Sequence, residues 1–247
     1  MKILKSLFIA ILFCFALWSC KKQKATTETK DNVSTLPIDT TKTNTDNPIF
    51  KEFIPAYVEG QYAKKFEEVA SKHPNLLKAF ALDYPAFKEL IEDHDNYKYA
   101  KFYFIQDSAN SKINLGLAFS NNDNYKDISL DDKFVLINNK FQGDEKLQEK
   151  IKFYQSSLAA QTGFNNKPAT ECILYTISEI ANYFSVVQIK NISQLDLTMI
   201  YFCQATESNG NEYNRYADKY DRISFAVHAV YSDGSVDLGY DAGDLKP

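Results

Sequence analysis

The 247-residue chain has four cysteines and three histidines, few enough to weigh one by one. Cys14 and Cys20 sit in an apolar amino-terminal stretch, whereas Cys172 and Cys203 fall in longer segments of mixed pattern. Cys172 opens a run in which Ile173, Ile177, Ile180, Phe184 and Val187 recur at a spacing that predicts a helix, with Pro168 just ahead. A thiol in the first turn of a helix meets the positive end of the helix dipole, which favours thiolate. His228 lies in the β-prone segment 223–231, and Asp237 and Asp241 lie on or just after the next strand. A cysteine deprotonated by a histidine that an acid orients is an acyl-transfer device. The same thiols have two other uses, a Cys172–Cys203 disulfide or two independent buried thiols, and the sequence leaves these open. His73, His94 and His228 lack the paired spacing of zinc ligands, and Asp233, Asp237, Asp241 and Asp244 do not match a calcium loop. No glycine-rich phosphate cradle is present, so no cofactor is expected.

The order of cysteine, strand histidine and strand acid resembles that of transglutaminase-like cysteine hydrolases. His228-Ala229-Val230-Tyr231 followed by Tyr240-Asp241 is similar to that family's histidine and aspartate strands. The resemblance implies Cys172 as the nucleophile, His228 as the base and Asp241 as the orienter. Glu171 stands where the family has a small or turn-forming residue, and no tryptophan flanks the cysteine or the histidine.

The first twenty residues carry a different chemistry. Lys2 and Lys5 precede an apolar run from Leu7 to Trp18, which closes in Leu17-Trp18-Ser19-Cys20. The run is shorter than the roughly 20 residues a spanning helix needs. A large aliphatic residue, a spacer, a small residue and a cysteine resembles the lipobox of bacterial lipoprotein signal peptides. The resemblance implies cleavage after Ser19 and acylation of Cys20. Two or more acyl chains hold a protein stably on a membrane without any spanning helix. In Bacteroidota, which the Lys-rich, Arg-poor composition resembles, surface-displayed lipoproteins carry acidic residues after that cysteine. Here Lys21, Lys22 and Lys24 follow it, which points to the periplasmic face of the outer membrane.

Residues 21–48 hold eight threonines among Lys, Asp and Asn, with no apolar period. Such a segment cannot bury enough apolar surface to offset its ordering entropy, and is expected to be a disordered tether. The remaining residues, 49–247, suffice for one domain. Loss of Lys2 and Lys5 with the leader leaves 26 basic against 32 acidic residues, a balance that argues against nucleic acid as a partner.

Within 49–247 the apolar spacing predicts helices first, through Val58, Tyr62, Phe66 and Val69, then Leu76, Leu77, Phe80 and Ala81, then a third opened by Pro85. Strands follow at 99–105, 113–119 and 134–137, the last stopped by Asn138-Asn139. Helices return with Leu147, Ile151, Tyr154 and Leu158 and then the run after Pro168. Strands at 195–204, 223–231 and 236–240 close the chain, the last two joined by the Asp233-Gly234 turn. Runs of like elements predict an α+β fold with a mainly antiparallel sheet of about six strands and packed helices. Tyr97, Tyr99, Tyr103, Tyr213, Tyr216 and Tyr220 stand beside polar residues as candidate recognition groups, and 206–221 as a candidate binding edge. The expected function is that of a membrane-anchored accessory or immunity protein that binds another protein or an envelope component. The cysteine-hydrolase reading is its alternative.

Overall fold

The computed structural model describes residues 52–163, 167–187, 191–241 and 243–246, within one compact unit from Asn44 to Pro247. For Glu52 and Asp241 only the backbone is described. The leader, Cys20 and the whole threonine-rich segment, residues 1–51 together, lie outside the described residues.

The chain enters through β1 (Glu52–Phe53) into α1 (Ala56–Ala70), whose Val58, Tyr62, Phe66 and Val69 form the buried face. β2 (Ala79–Asp83) passes directly into α2 (Tyr84–Asp93). Asp83 accepts a hydrogen bond from the Ala86 N–H at 3.0 Å, and Pro85 occupies the first turn, where its missing N–H is not needed. β3 (Tyr99–Ile105), β4 (Asn114–Ser120), β5 (Asp132–Ile137) and β6 (Lys140–Gly143) follow as a meander. Then come α3 (Leu147–Ser156), α4 (Ala159–Thr162), β7 (Cys172–Thr176), α5 (Ile177–Val187) and β8 (Ile192–Tyr201). A small hairpin of β9 (Ala205–Thr206) and β10 (Glu212–Tyr213) precedes β11 (Ile223–Tyr231), β12 (Tyr240–Asp241) and β13 (Asp244–Lys246).

The fold is α+β and every described strand pairing is antiparallel. The strands form a six-stranded sheet, β13-β7-β3-β4-β5-β6, and a five-stranded sheet, β1-β12-β11-β8-β2. The two stack through their inner faces. Phe225 of β11 meets Phe102 of β3 with ring centroids 5.7 Å apart, and Tyr175 of β7 at 6.5 Å. α1 covers the outer face of the five-stranded sheet, where Ile54, Val58 and Tyr62 pack on Ile200, Phe202 and Ala226. α3 covers the outer face of the other, where Leu147 and Ile151 pack on Tyr103, Ile105 and Ala118. Gly243, between β12 and β13, lies so close to β7 that a Cβ there would stand 2.8 Å from the Leu174 carbonyl oxygen.

Two expected elements change identity, and one unexpected strand is added. The segment around Phe80 and Ala81 is the edge strand β2, not a helix: Phe80 and Leu82 are buried in alternation, opposite Leu197 and Leu195 of β8. Asn138-Asn139 stops β5 as expected, and also turns the chain back into a further strand. Both residues take positive φ, 50° and 64°, as a tight hairpin turn requires, and β6 follows. The helix expected from Pro168 onward starts at Ile177 instead. Cys172 to Thr176 pair with β3 and β13, so an apolar run that fits helical spacing is in its first part a strand buried on both faces.

Candidate functional site

Cys172 is thus on a strand, not at a helix start, and gains nothing from a helix dipole. It stands opposite Tyr103 in the β3–β7 ladder, on the outer face of the six-stranded sheet, fully buried beneath α3. Burial pushes its thiol pKa far up, out of the range where thiolate forms at neutral pH. The Tyr103 hydroxyl beside it donates to the Tyr125 carbonyl at 2.7 Å.

His228 stands opposite Asp196 in the β8–β11 ladder, next but one to Ala226, on the outer face of the five-stranded sheet. Cys172 and His228 therefore point away from the shared core in opposite directions, with both sheets between them, and packed sheets lie about 10 Å apart. The catalytic arrangement of Cys172, His228 and Asp241 is not assembled. Asp241 lies on β12, paired by backbone with Glu52. Cys172 and Cys203 are both free thiols, not a disulfide: Cys203 follows β8 in the other sheet and packs against the α1 side.

What surrounds His228 is a clasp. Its Nε2 lies 2.7 Å from Oε1 of Glu59, in the first turn of α1, and its Nδ1 lies 3.0 Å from the Asp237 carbonyl oxygen. Both partners are acceptors, so the ring is satisfied on both sides only as an imidazolium. Burial opposes that charge, but the Glu59 hydrogen bond and charge, the Asp237 carbonyl and Asp196 outweigh it and raise the pKa above its ordinary value. Gly239 is part of the same fit: a Cβ there would come within 2.9 Å of the imidazole Cε1 and into the Glu59 carboxylate. Asp237 is itself fixed, its carboxylate accepting from the Tyr231 hydroxyl at 3.0 Å and from the Leu238 N–H at 2.7 Å. The clasp ties α1 to β11 and to the β11–β12 connection. Both ring nitrogens are occupied, and neither is open to a further partner.

A second buried charge pair sits under α3's sheet. Lys101 Nζ lies 2.8 Å from Asp131 Oδ2 and donates to the Asn124 carbonyl at 2.9 Å, pinning the loop between β4 and β5 across the outer face. Of the aromatic recognition candidates, Tyr103, Tyr213 and Tyr216 are buried, the last two against Tyr62 and Phe202 in the core beneath α1. Tyr220 donates to the Tyr213 carbonyl at 3.0 Å. The expected binding edge 206–221 is thereby partly core. The hairpin within it is anchored by Gln61, which donates to the Thr206 carbonyl at 2.8 Å and accepts from its N–H at 3.1 Å.

Two open grooves lie along α2, and one of about 390 Å³ lies beside α3, lined by Tyr103, Tyr125, Gln148, Ile151, Gln155 and Glu171. One groove of about 590 Å³ runs between α2 and the start of β8, lined by Tyr84, Lys88, Glu89, Glu92, Asn191 and Ile192. Another of about 280 Å³ runs between α2 and α5, with Ile91, Ile177, Ala181 and Phe184 on its floor. The Lys88–Glu92 ion pair, 2.6 Å long, lies between the two. Glu59 and Lys101 carry no motif, and only their partners across the fold mark them. Comparison with family models, with curated proteins and with solved structures gave no match.

Proposed function

We propose that the chain is a lipoprotein held on the periplasmic face of the outer membrane through acyl chains on Cys20, and that its folded domain binds another protein or an envelope component. The observation that carries the binding reading is the pair of grooves flanking α2. Their mixture of apolar floor and charged rim is the composition of a protein-recognition surface. The outward and opposed placement of Cys172 and His228 leaves no base for that thiol, so the hydrolase alternative has no geometric support.

Two measurements test the halves of this reading. Cys20→Ala should abolish incorporation of an alkyne-bearing palmitate and release the chain from the membrane fraction. Persistent labelling of the variant overturns the anchor. A photo-cross-linking residue at Glu89, beside the grooves, should give one discrete adduct in cells, whereas the same residue at Lys64, exposed on α1 and away from the grooves, should not. Equal smears from both positions overturn the binding surface.

A further inference from the structure

We propose that the edge formed by β1, the first turn of α1 and the β11–β12 connection docks on a zwitterionic lipid surface. This inference rests on the Cys20 anchor proposed above. Four large apolar side chains are exposed on these segments: Phe53 at 41%, Tyr57 at 57%, Val236 at 57% and Leu238 at 48%. The segments are joined to one another. Phe53 pairs with Tyr240, the Ile54 N–H donates to the Gly239 carbonyl at 3.0 Å, and Val236 bridges to Val230. Half of the eight large apolar side chains exposed among the described residues thus gather at one edge of one sheet.

The position of that edge in the chain names its occupant. Glu52 is the first residue of β1, and 31 residues, 21–51, separate it from Cys20. A flexible segment of that length spans about 30 Å on average. Anchoring at Cys20 therefore keeps this edge, more than any other, close to lipid. Confinement of that kind corresponds to an effective concentration on the order of millimolar, so a weak apolar contact is enough. Aromatic and aliphatic side chains at such a rim suit the headgroup boundary.

Charge selects the headgroup. Neither 52–62 nor 228–241 contains a lysine or an arginine, and the His228 ring is taken up by Glu59 and the Asp237 carbonyl, so these segments offer anionic lipid no open cation. Three of its carboxylates are engaged by the protein: Glu59 is paired with His228, Asp237 accepts from Tyr231 and Leu238, and Asp233 accepts from Ser235.

The test uses a reporter the chain supplies. The single tryptophan, Trp18, belongs to the leader, so Tyr57→Trp gives the mature protein one indole at the edge. Phe153→Trp, on α3 at the other sheet, places one at a position also exposed, at 40%. Each lipidated variant is reconstituted on phosphatidylethanolamine–phosphatidylcholine vesicles containing brominated phosphatidylcholine. Tryptophan at 57 should shift to the blue and be quenched at least twofold more than tryptophan at 153, and phosphatidylglycerol should weaken the effect. Equal quenching of the two overturns the docking edge while vesicle flotation still upholds the anchor. If the protein does not float, the anchor fails. Quenching at 57 by added vesicles then upholds the edge, and its absence at high lipid overturns both. A blue shift that follows protein concentration without vesicles overturns the proposal in favour of a second copy of the chain.

Discussion

His228 has a hydrogen-bond acceptor at each ring nitrogen, Glu59 on one side and the Asp237 carbonyl on the other. A neutral imidazole can donate to only one of them. The folded chain therefore binds this proton more tightly than the unfolded chain, against the desolvation that burial imposes and with Glu59, Asp237 and Asp196 all favouring the charge. A raised histidine pKa gives a stability contribution that is complete below the unfolded value of 6.5 and is lost as pH climbs through the folded value. Urea midpoints should fall between pH 6 and the mildly alkaline range in the parent chain. In His228→Leu they should be lower at pH 6, by about 1–3 kcal/mol for the unpaired carboxylate, and flat over the same interval. Parallel pH profiles in parent and variant would show that the pair carries no charge. The sequence offers His228 as a candidate base because it sits on a strand ahead of an acid. It does not show that Glu59, 169 positions earlier, takes the nitrogen a nucleophile would need.

Among the elements, those that carry one clean period are legible. Val58, Tyr62, Phe66 and Val69 of α1 recur along one helical face and are the residues that α1 buries, and Leu115, Leu117 and Phe119 of β4 are buried as their alternation predicts, although α3 also covers the other face at Ala118. Errors fall where a short apolar run fits two periods. In β2 the spacing of Phe80 and Ala81 after Leu76 and Leu77 reads as helical, yet β8 supplies the partner that makes it a strand. Cys172 to Thr176 joins helix α5 without a break in hydrophobicity, but a boundary is written there. Thr176 Oγ1 accepts from the Glu179 N–H at 3.2 Å, and Glu179 accepts from the Thr176 N–H at 2.6 Å. That reciprocal pair is a capping box, a Thr-x-x-Glu signature that fixes where the helix begins. The β5–β6 turn gives the prediction at this scale. Asn138 and Asn139 both stand at positive φ, where a side chain with a Cβ is strained by about 1–2 kcal/mol unless its amide helps. Asn139→Gly should leave the denaturation midpoint unchanged or raise it, and Asn138→Val should lower it. The opposite order would mean that the turn is held by its side chains instead of its backbone.

Across the whole molecule the two sheets share one core, with Phe225 set between Phe102 and Tyr175 of the facing sheet. Neither sheet buries its inner face without the other, so they should unfold together. Phe225→Ala should cost about 3–5 kcal/mol and move backbone circular dichroism and tyrosine fluorescence by the same amount. A transition that splits in two would mean that the sheets are separately stable. The α+β class and the antiparallel pairing follow from the order of elements. The division into two stacked sheets does not, because alternation tells which residues face inward but not which sheet they face.

That division has a consequence in time. β12 completes the five-stranded sheet by joining β11 to β1, and β13, three residues on, pairs with β7 at the edge of the six-stranded one. The link between them fits closely against β7 at Gly243. One short stretch of chain thus fastens both layers. Until β12 and β13 have paired, the margins along β7 and β11 stay open, so the two sheets close in a single late step.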